Sequence, residues 1–341
     1  MVKVGIIGLG FMGMTHFRAW KKVANANVTM VCEARPLPED GDLSKLFAGN
    51  LGSGEGLKID YKQTKVVQKV EELLSNPEID LVDICLPTMA HKDVSIAALK
   101  AGKNVICEKP MARTLAQTEE MKAAAEASGK ILMPAQCVRF FPEWSYVKRL
   151  IDDGRYGKVV AARFRRVSEA PGWGVSSFLK GQESGGALYD LHVHDLDFVL
   201  YCFGMPKAVF ARGATYASGA VDHVMANYIY ENGPVVTAEG SWAMVKGFGF
   251  AAGFTVNFEK ATLEMDTTRG ADALKLYEPG QPALVIRPEG DDGYVGELRH
   301  IAEAVAKGTK PTILTPQDGV NSLRVCEAEE KSVQTGQIIT I

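Results

Sequence analysis

The sequence predicts an α/β protein, with an N-terminal doubly wound parallel sheet followed by an α+β domain that contains a large, mostly antiparallel open sheet. In the first 134 residues, apolar β-branched runs alternate with helical segments, which is typical of βαβ units. After residue 135, strand-like runs follow one another, and several alternate polar with apolar residues, which is typical of an antiparallel sheet. The predicted domains are therefore residues 1–134 and 135–341.

The N-terminal domain is predicted to contain buried strands wherever a short run is almost continuously apolar. These strands are 2–8, 27–34, 79–87, 104–110 and 130–136. Helical spacing and composition predict the helices between them, at 13–24, 44–50, 65–77, 91–103 and 115–130. Pro77 ends the third of these helices, and glycines end the last two.

The C-terminal domain is predicted to combine helices with a series of strands separated by turn signals such as ENGP. The helices are 143–153, 184–203, 296–307 and 317–335. The strand-like runs are 159–168, 207–217, 222–231, 234–244, 253–267, 273–279 and 283–289. One face of this sheet should pack on helices, so we expect the other, open face to form a homodimer or homotetramer.

The composition excludes several classes of function. The net charge of −3 gives no basic surface for nucleic acid or an anionic membrane. No apolar stretch is long enough to span a bilayer, and the opening run MVKVGIIGLG lacks the features of a secretory signal. The six cysteines form no C-x-x-C pair, which indicates reduced thiols and a cytoplasmic location.

A dinucleotide-binding motif follows the first strand. The predicted contacts are Gly8, Gly10, Phe11, Met12 and Gly13, at the start of the first helix. The glycines suit a tight turn, a close approach of backbone to a pyrophosphate and tight helix–strand packing. Glu33 follows at the end of the second strand, where it favours the ribose hydroxyls of NAD, but nearby Arg35 keeps NADP as the alternative. A glycine turn without a ligand is the competing interpretation.

The stretch SGGALYDLHVHDLDFV at 184–199 raises three hypotheses: a metal site, a proton-handling site, or an ordinary amphipathic helix. On a helix of about 100° per residue, Asp190, His194 and Asp197 share one face. His192 faces away from them, so His192 and His194 cannot close on one ion, and we predict no metal site. Asp190 and His194 form a predicted acid/base pair, although His194 alone could be a partly buried structural histidine.

The remaining acids and aromatic residues give weaker predictions. Asp197 is expected to be a structural hydrogen-bond acceptor, and Asp195 either a solvated charge or a charge at the helix end. Arg139, after the last parallel strand, is expected to contact either substrate hydroxyls or a surface acid. Trp173 and Trp242 could stack on a sugar ring, but single tryptophans are more often core residues.

Five motifs together resemble the glucose–fructose oxidoreductase/inositol dehydrogenase family (Gfo/Idh/MocA). They are GLGFMG (8–13), ICLPTMAH (84–91), AGKNVICEKPMA (101–112), VRFFP (138–142) and GGALYDLHVHDLD (185–197). The resemblance covers the whole length, and the EKP tripeptide joined to a later D-x-x-x-H is specific. It implies a Rossmann domain, a C-terminal domain with a mostly antiparallel sheet, and NAD(P)-dependent oxidation of a secondary alcohol on a sugar, inositol or polyol.

The resemblance also implies roles for individual residues. Lys109 would hydrogen-bond the reacting hydroxyl and the nicotinamide ribose, and Glu108 would help to position the cofactor. His194 would accept the proton, with Asp190 as its partner and a substrate ligand. Further implied cofactor contacts are Leu86, Pro87 and His91, and the Lys109–Pro110 bond is a candidate cis peptide.

The chain departs from the family pattern at three positions, which are Ala187, His192 and Thr88. Glycine is common at the first two and asparagine at the third. His192 is the departure that matters, because it either reaches the substrate or packs behind the site. Two other functions stay open: an NAD-dependent glycoside hydrolase that works through transient oxidation and elimination, and a non-catalytic NAD-binding regulatory protein.

Overall fold

The computed structural model describes residues 1–44, 46, 54, 56–172 and 178–341, and these divide into two compact units. Unit 1 contains Met1–Cys137 and Tyr294–Val320. Unit 2 contains Val138–Gly172, the described part of Ser176–Gly293, and Asn321–Ile341. The first stretch of unit 1 thus ends near the boundary predicted at residue 134, but unit 1 also takes in a helical segment that the sequence prediction assigns to the second domain. Trp173 and most of the helix predicted at 44–50 lie outside the described residues.

Unit 1 is built on a parallel sheet. Its described strands are β1 (Val2–Ile7), β2 (Ala26–Cys32), β3 (Lys65–Val67), β4 (Leu81–Ile84), β5 (Asn104–Glu108) and β6 (Leu132–Ala135), in the order β3-β2-β1-β4-β5-β6. The helices that connect them are α1 (Phe11–Trp20), α2 (Val70–Leu74), α3 (Thr88–Lys100) and α4 (Leu115–Ser128). The pairings among these strands are parallel, so the predicted doubly wound sheet is confirmed, with its switch point between β1 and β4.

One element of unit 1 corrects the sequence prediction. The sequence predicts a single helix over 65–77, but Lys65–Val67 form a strand that pairs with β2, and the helix is limited to Val70–Leu74. The physical reason is that Val66 and Val67 are β-branched and fit the edge of the sheet. A short apolar run does not distinguish strand from helix by spacing alone.

Unit 2 contains the second sheet. Its described strands are β7 (Val159–Glu169), β8 (Ala208–Ala214), β9 (His223–Ile229), β10 (Val235–Met244), β11 (Phe250–Phe258), β12 (Thr262–Asp266), β13 (Leu274–Tyr277), β14 (Leu284–Val285) and β15 (Ile339–Thr340). The order is β14-β13-β12-β11-β7-β10-β9-β8-β15, and among these strands β7 and β10 alone pair in parallel. The predicted large, mostly antiparallel sheet is therefore confirmed.

The remaining helices include one departure from the sequence prediction. They are α5 (Pro142–Asp153), α6 (Gly181–Ser184), α7 (Val193–Phe203), α8 (Gly293–Lys307) and α9 (Pro316–Thr335). The helix predicted over 184–203 is interrupted: a π-helical segment at Leu188–His192 leads directly into α7. The run predicted as one strand at 253–267 likewise divides into β11 and β12.

Aromatic packing fixes α7 on the sheet of unit 2. The ring of Phe198 on α7 packs edge-to-face against Phe164 on β7, with 5.8 Å between ring centroids. Phe164 in turn lies 6.2 Å from Phe254 on β11. Both Phe164 and Phe198 are fully buried, so the segment 184–199 has a rigid base. Among the described residues, no helix is long and apolar enough to cross a membrane.

Candidate functional site

The glycine motif forms the turn between β1 and α1. Gly8 has φ +91°, a conformation that favours glycine, and a Cβ at Gly13 would collide with the Gly8 carbonyl oxygen. A Cβ at Gly10 would meet nothing within 4 Å, and Gly10 is exposed at the N-terminus of α1. A ligand can therefore approach this backbone closely, at the positive end of the helix. These features fit the pyrophosphate of a dinucleotide.

Glu33 lies just past the end of β2, where its carboxylate contacts the same turn. Its Oε2 accepts a hydrogen bond from the Leu9 amide at 2.8 Å. Arg35 donates to both carboxylate oxygens, from Nε at 2.9 Å and from Nη2 at 3.1 Å. Burial alone would raise the pKa of Glu33, but the hydrogen bonds from Arg35 and Leu9 and the charge of Arg35 hold it below the ordinary value. Glu33 is therefore a carboxylate with Arg35 as its counter-charge.

The EKP tripeptide follows from the end of β5. The Lys109 amide donates to Glu108 Oε2 at 3.0 Å, and the Lys109–Pro110 peptide is cis, as predicted. His91 on α3 lies between two carbonyl oxygens, with Nδ1 2.9 Å from that of Pro110 and Nε2 2.8 Å from that of Leu86. Burial lowers the pKa of His91. His91 is 1% exposed. Because it contacts the carbonyl oxygens of Leu86 and Pro110, it holds the backbone of the predicted cofactor residues in place.

A buried polar cluster in unit 1 was not predicted from the sequence. His16 on α1 contacts Asp83 on β4, with Nδ1 3.0 Å from Oδ2, and Trp20 Nε1 donates to the same oxygen at 2.8 Å. On the other side of the ring, His16 Nε2 lies 3.0 Å from Glu108 Oε1. The helix of the glycine motif is thus connected to the EKP tripeptide. The signal available in the sequence is Asp83 itself, an acid inside the otherwise apolar run of β4.

His16 is held as a cation by this cluster. Burial alone would lower its pKa, but the charge of Asp83 and the hydrogen bonds to Asp83 and Cys85 raise it well above the ordinary value. Among the described residues, His16, Asp83 and Cys85 are the one group of three potential metal ligands, with donor atoms within 4.8 Å of one another. Asp83 already accepts hydrogen bonds from His16 and Trp20, so the group is accounted for as a hydrogen-bond network.

The acids after His194 form ion pairs inside unit 2. Asp195 lies in the first turn of α7, as expected for a helix-end charge, but it is fully buried and accepts from Arg166 Nε at 2.9 Å, so it is not a solvated charge. Asp197 is also fully buried and binds Arg139 through two hydrogen bonds of 2.8 Å, as expected for a structural acceptor. The Arg139 side chain is 2% exposed. This geometry favours a structural role for Arg139 over the predicted substrate contact, because its guanidinium binds the carboxylate as a fork.

His192 is fully buried and faces the interior of unit 2. Its Nε2 lies 3.2 Å from Oε1 of Glu329 on α9, and the hydroxyl of Tyr228 on β9 donates to the same Oε1 at 2.8 Å. The predicted substrate contact does not fit a side chain with no exposed surface. The burial favours the other expectation, in which His192 packs behind the site.

Asp190 and His194 differ from their polar neighbours. Within residues 190–197 they are the polar side chains that keep partial exposure, whereas His192, Asp195 and Asp197 are buried. Asp190 belongs to the π-helical segment and His194 to the first turn of α7. Asp190 and His194 are thus the residues of this stretch available for chemistry.

Of the two tryptophans considered as sugar contacts, the structure describes Trp242, and this residue belongs to the core. Trp242 on β10 is 2% exposed, and its amide donates to the Asp222 carbonyl oxygen at 2.7 Å. A ring with so little exposed surface cannot stack on a sugar. The more common interpretation of a single tryptophan, as a core residue, therefore applies at this position.

Two family models match the chain. Residues 2–136 match the model described as an oxidoreductase family with an NAD-binding Rossmann fold. Residues 144–264 match the model of the GFO/IDH/MocA C-terminal domain. The first match falls on the parallel sheet of unit 1, and the second falls on the helices and sheet of unit 2.

Similar proteins include dehydrogenases of cyclitols and sugars. The chain is 26% identical to scyllo-inositol 2-dehydrogenase (NADP(+)) of Bacillus subtilis, over 100% of this chain and 96% of that one. It is 28% identical to scyllo-inositol 2-dehydrogenase (NAD(+)) of the same organism, with the same coverage. The solved structure of a levoglucosan dehydrogenase in complex with NADH and levoglucosan superposes with a TM-score of 0.84 at 22% identity, over 100% of this chain and 99% of that one. That likeness shows the fold.

Proposed function

The chain belongs to the Gfo/Idh/MocA family of NAD-binding oxidoreductases, and we propose that it oxidises a secondary hydroxyl of a sugar, inositol or related polyol. The observation that carries the proposal is the contrast within residues 190–197. Three of the polar side chains there are buried in ion pairs or hydrogen bonds, while Asp190 and His194 keep exposure. An accessible acid and histidine on a rigid segment suit proton transfer.

The proposed roles follow from what alcohol oxidation requires. When bound, NAD(P) supplies the acceptor for the hydride that leaves the carbinol carbon. His194 accepts the hydroxyl proton, and Asp190 orients the imidazole and binds substrate. Lys109 contributes positive charge that stabilises the developing alkoxide.

The proposed cofactor contacts lie in unit 1. The backbone at Gly8, Gly10 and Gly13 would hold the pyrophosphate at the start of α1, together with Phe11 and Met12. A second group would lie along the rest of the cofactor, with Glu33 and Arg35 near the adenosine ribose and Leu86, Pro87 and Glu108 near the nicotinamide half. The buried His91 would act on this half through the Leu86 and Pro110 carbonyls that it contacts. We assign NAD because a 2′-phosphate would lie against the like charge of Glu33. NADP is the alternative because the guanidinium of Arg35 could bind that phosphate.

We also propose a homodimer or homotetramer through the open face of the unit 2 sheet. Along β9, buried and exposed residues alternate, and the exposed positions include Met225 and Ile229. Val160 on β7 and Val235 on β10 are also more than half exposed. Apolar residues exposed on several strands of one sheet suit contact with a second copy of the chain.

The proposal is tested by a polyol panel. Purified protein is mixed with NAD or NADP and with myo-inositol, scyllo-inositol, levoglucosan, aldohexoses or simple glycosides, and formation of reduced cofactor is followed. We expect reduced cofactor with at least one cyclitol or sugar. Glycoside cleavage with tightly held NAD and no net reduction would support the glycoside hydrolase instead. Cofactor binding without turnover across the panel would support a regulatory protein.

A further inference from the structure

His192, Tyr228 and Glu329 form a cluster in the interior of unit 2. His192 and Glu329 have no exposed surface and Tyr228 is 3% exposed. Tyr228 donates to Glu329 Oε1 at 2.8 Å and lies 3.2 Å from His192 Nε2, which is itself 3.2 Å from the same Oε1. Three elements, the π-helical segment, β9 and α9, therefore meet at one carboxylate oxygen.

The cluster is attached to the segment that carries the proposed acid/base pair. His192 is the last residue of the π-helical segment, Asp190 precedes it by two residues and His194 follows it by two. A π turn is wider than an α turn, is rare, and is frequent at functional sites. Because the backbone favours the α turn over the π turn, contacts from outside the segment have to stabilise it.

Two further contacts hold the same segment. Tyr189 donates to Glu330 Oε2 on α9 at 2.8 Å, so neighbouring acids of α9 bind two residues of the π turn. On the sheet side, Gly240 of β10 packs directly against His192. A Cβ at Gly240 would lie 2.5 Å from the His192 Cβ and 3.0 Å from its Cα. The turn is thus confined between α9 and β10.

We infer that His192, Tyr228 and Glu329 are positioning residues, which fix the π turn and thereby the orientation of Asp190 and His194. This inference rests on the proposed function, because it assigns the cluster to the geometry of that acid/base pair. The three residues are buried, so they do not contact substrate or cofactor directly. They act through the backbone of residues 190–194.

Electrostatics supports a fixed arrangement. Burial alone would lower the pKa of His192, but the charge and hydrogen bond of Glu329 and the charge of Asp195 raise it above the ordinary value. Burial, the charge of Glu329 and the hydrogen bond to it also raise the pKa of Tyr228 well above its usual range, so its hydroxyl remains a donor. His192 and Tyr228 are therefore held in the protonation states that these contacts require.

The test compares two tyrosines of the same region. Tyr228→Phe removes the hydroxyl bound to Glu329, whereas Tyr230→Phe removes a hydroxyl that donates to the Gly204 carbonyl. We expect Tyr228→Phe to lower kcat and kcat/KM together by about tenfold to a hundredfold on the polyol that the panel identifies, because small misplacements of reacting groups are costly. Tyr230→Phe should keep wild-type kcat. Both should keep the wild-type Kd for NAD, since the nucleotide motif belongs to unit 1.

A second pair of variants distinguishes a positioning role from a simple loss of folding. Glu329→Gln keeps an acceptor for Tyr228, whereas Glu329→Ala does not, so the Gln variant should retain more kcat than the Ala variant at equal folded fraction. If Tyr228→Phe lowers Tm but leaves kcat of the folded enzyme unchanged, the cluster is merely structural and the inference is wrong.

Failure of the inference differs from failure of the proposed function. If His194→Asn is inactive while Tyr228→Phe and Glu329→Ala turn over at the wild-type rate, the positioning role alone is overturned. If His194→Asn is fully active, or if no polyol is turned over, the proposed acid/base function is overturned and the positioning role with it.

Discussion

Arg35 donates to Glu33 through Nε at 2.9 Å and through its backbone amide at 3.0 Å, both to Oε1. The other oxygen, Oε2, accepts from Arg35 Nη2 at 3.1 Å and from the Leu9 amide at 2.8 Å. A carboxylate offers about four acceptor sites, so the protein itself occupies them. A ribose hydroxyl would have to compete with Arg35 for Glu33, and we therefore expect the pair to control cofactor preference.

Replacing Arg35 should shift that preference towards NAD. Arg35→Ala frees Glu33 for the ribose hydroxyls and removes the charge available to a 2′-phosphate. We expect the ratio of kcat/KM for NADP to that for NAD to fall by about tenfold or more, equivalent to about 1.4 kcal/mol. Steady-state kinetics with both cofactors measures this. Arg155→Ala is the matched control, because Arg155 pairs in the same way with an acid two residues earlier, Asp153. An unchanged ratio in Arg35→Ala would show that the Glu33–Arg35 pair does not control cofactor preference.

Substitutions at two glycines of the motif should have separate effects, one on stability and the other on NAD binding. Gly13→Ala places a Cβ against the Gly8 carbonyl, so it should lower Tm. Gly10→Ala meets no protein atom within 4 Å and has φ −69°, so Tm should stay at the wild-type value. Its methyl group would, however, occupy the space proposed for the pyrophosphate, and Kd for NAD should rise about tenfold or more. Thermal unfolding and NAD titration of both variants test this. Wild-type NAD affinity in Gly10→Ala would place the cofactor elsewhere.

Breaking the Arg139–Asp197 ion pair should lower the stability of the protein without selectively weakening substrate binding. Asp197→Ala leaves a buried guanidinium without its carboxylate, which typically costs about 3–5 kcal/mol. Urea unfolding should report this loss, and KM of the folded fraction should stay near the wild-type value. Arg139→Met removes charge but keeps apolar volume. It leaves the buried Asp197 carboxylate unpaired and should lose stability too, so the contradicting result is a large rise in KM of its folded fraction, which would restore the substrate-contact hypothesis.

We expect the contribution of His16 to the free energy of unfolding to depend on pH. The folded-state pKa of His16 is raised well above its ordinary 6.5, so the stabilisation is complete below that pH and is lost as pH rises through the folded-state value. The difference in free energy of unfolding between wild type and His16→Asn should therefore shrink as the pH rises above about 6.5, by at most about 1.4 kcal/mol per pH unit. The groups that face His16 are Asp83, Cys85, Glu108, Glu297 and Tyr294.

A second histidine provides the control for this measurement. Burial lowers the pKa of His300 below 6.5, so its effect has the opposite sign. Its contribution to stability rises with pH below 6.5 and is constant above it. His300→Asn should therefore leave the alkaline part of the stability profile unchanged. A pH-independent difference between wild type and His16→Asn would show that His16 is not held as a cation.

Much of the fold was predictable because its signals are local. The strands of unit 1 are largely buried on both faces, so runs such as Leu132–Ala135 are continuously apolar and stand out in the sequence. The glycine motif needs only neighbouring residues to be recognised. Where signals were short, as at Lys65–Val67, strand and helix could not be separated before the pairing with β2 was known.

The polar part of the site was less predictable because its partners are distant in sequence. Asp197 meets Arg139 from 58 residues away, and His192 meets Glu329 from 137 residues away. The periodicity of 187–203 suggested a regular helix, yet five of its residues form a π turn. Hydrophobic spacing over so short a segment does not distinguish a π turn from an α turn. The direction of the His192 side chain, and therefore its burial, could be known only from the structure.

The role of His194 as the general base is tested by the turnover of His194→Asn with the polyol and cofactor that the panel identifies, measured beside its Kd for NAD. Loss of a general base typically costs about a hundredfold to ten-thousandfold in rate. We expect a loss of kcat in that range, with Kd for NAD within about twofold of wild type, because the nucleotide motif lies in unit 1. Turnover of the same polyol at near the wild-type rate would contradict it.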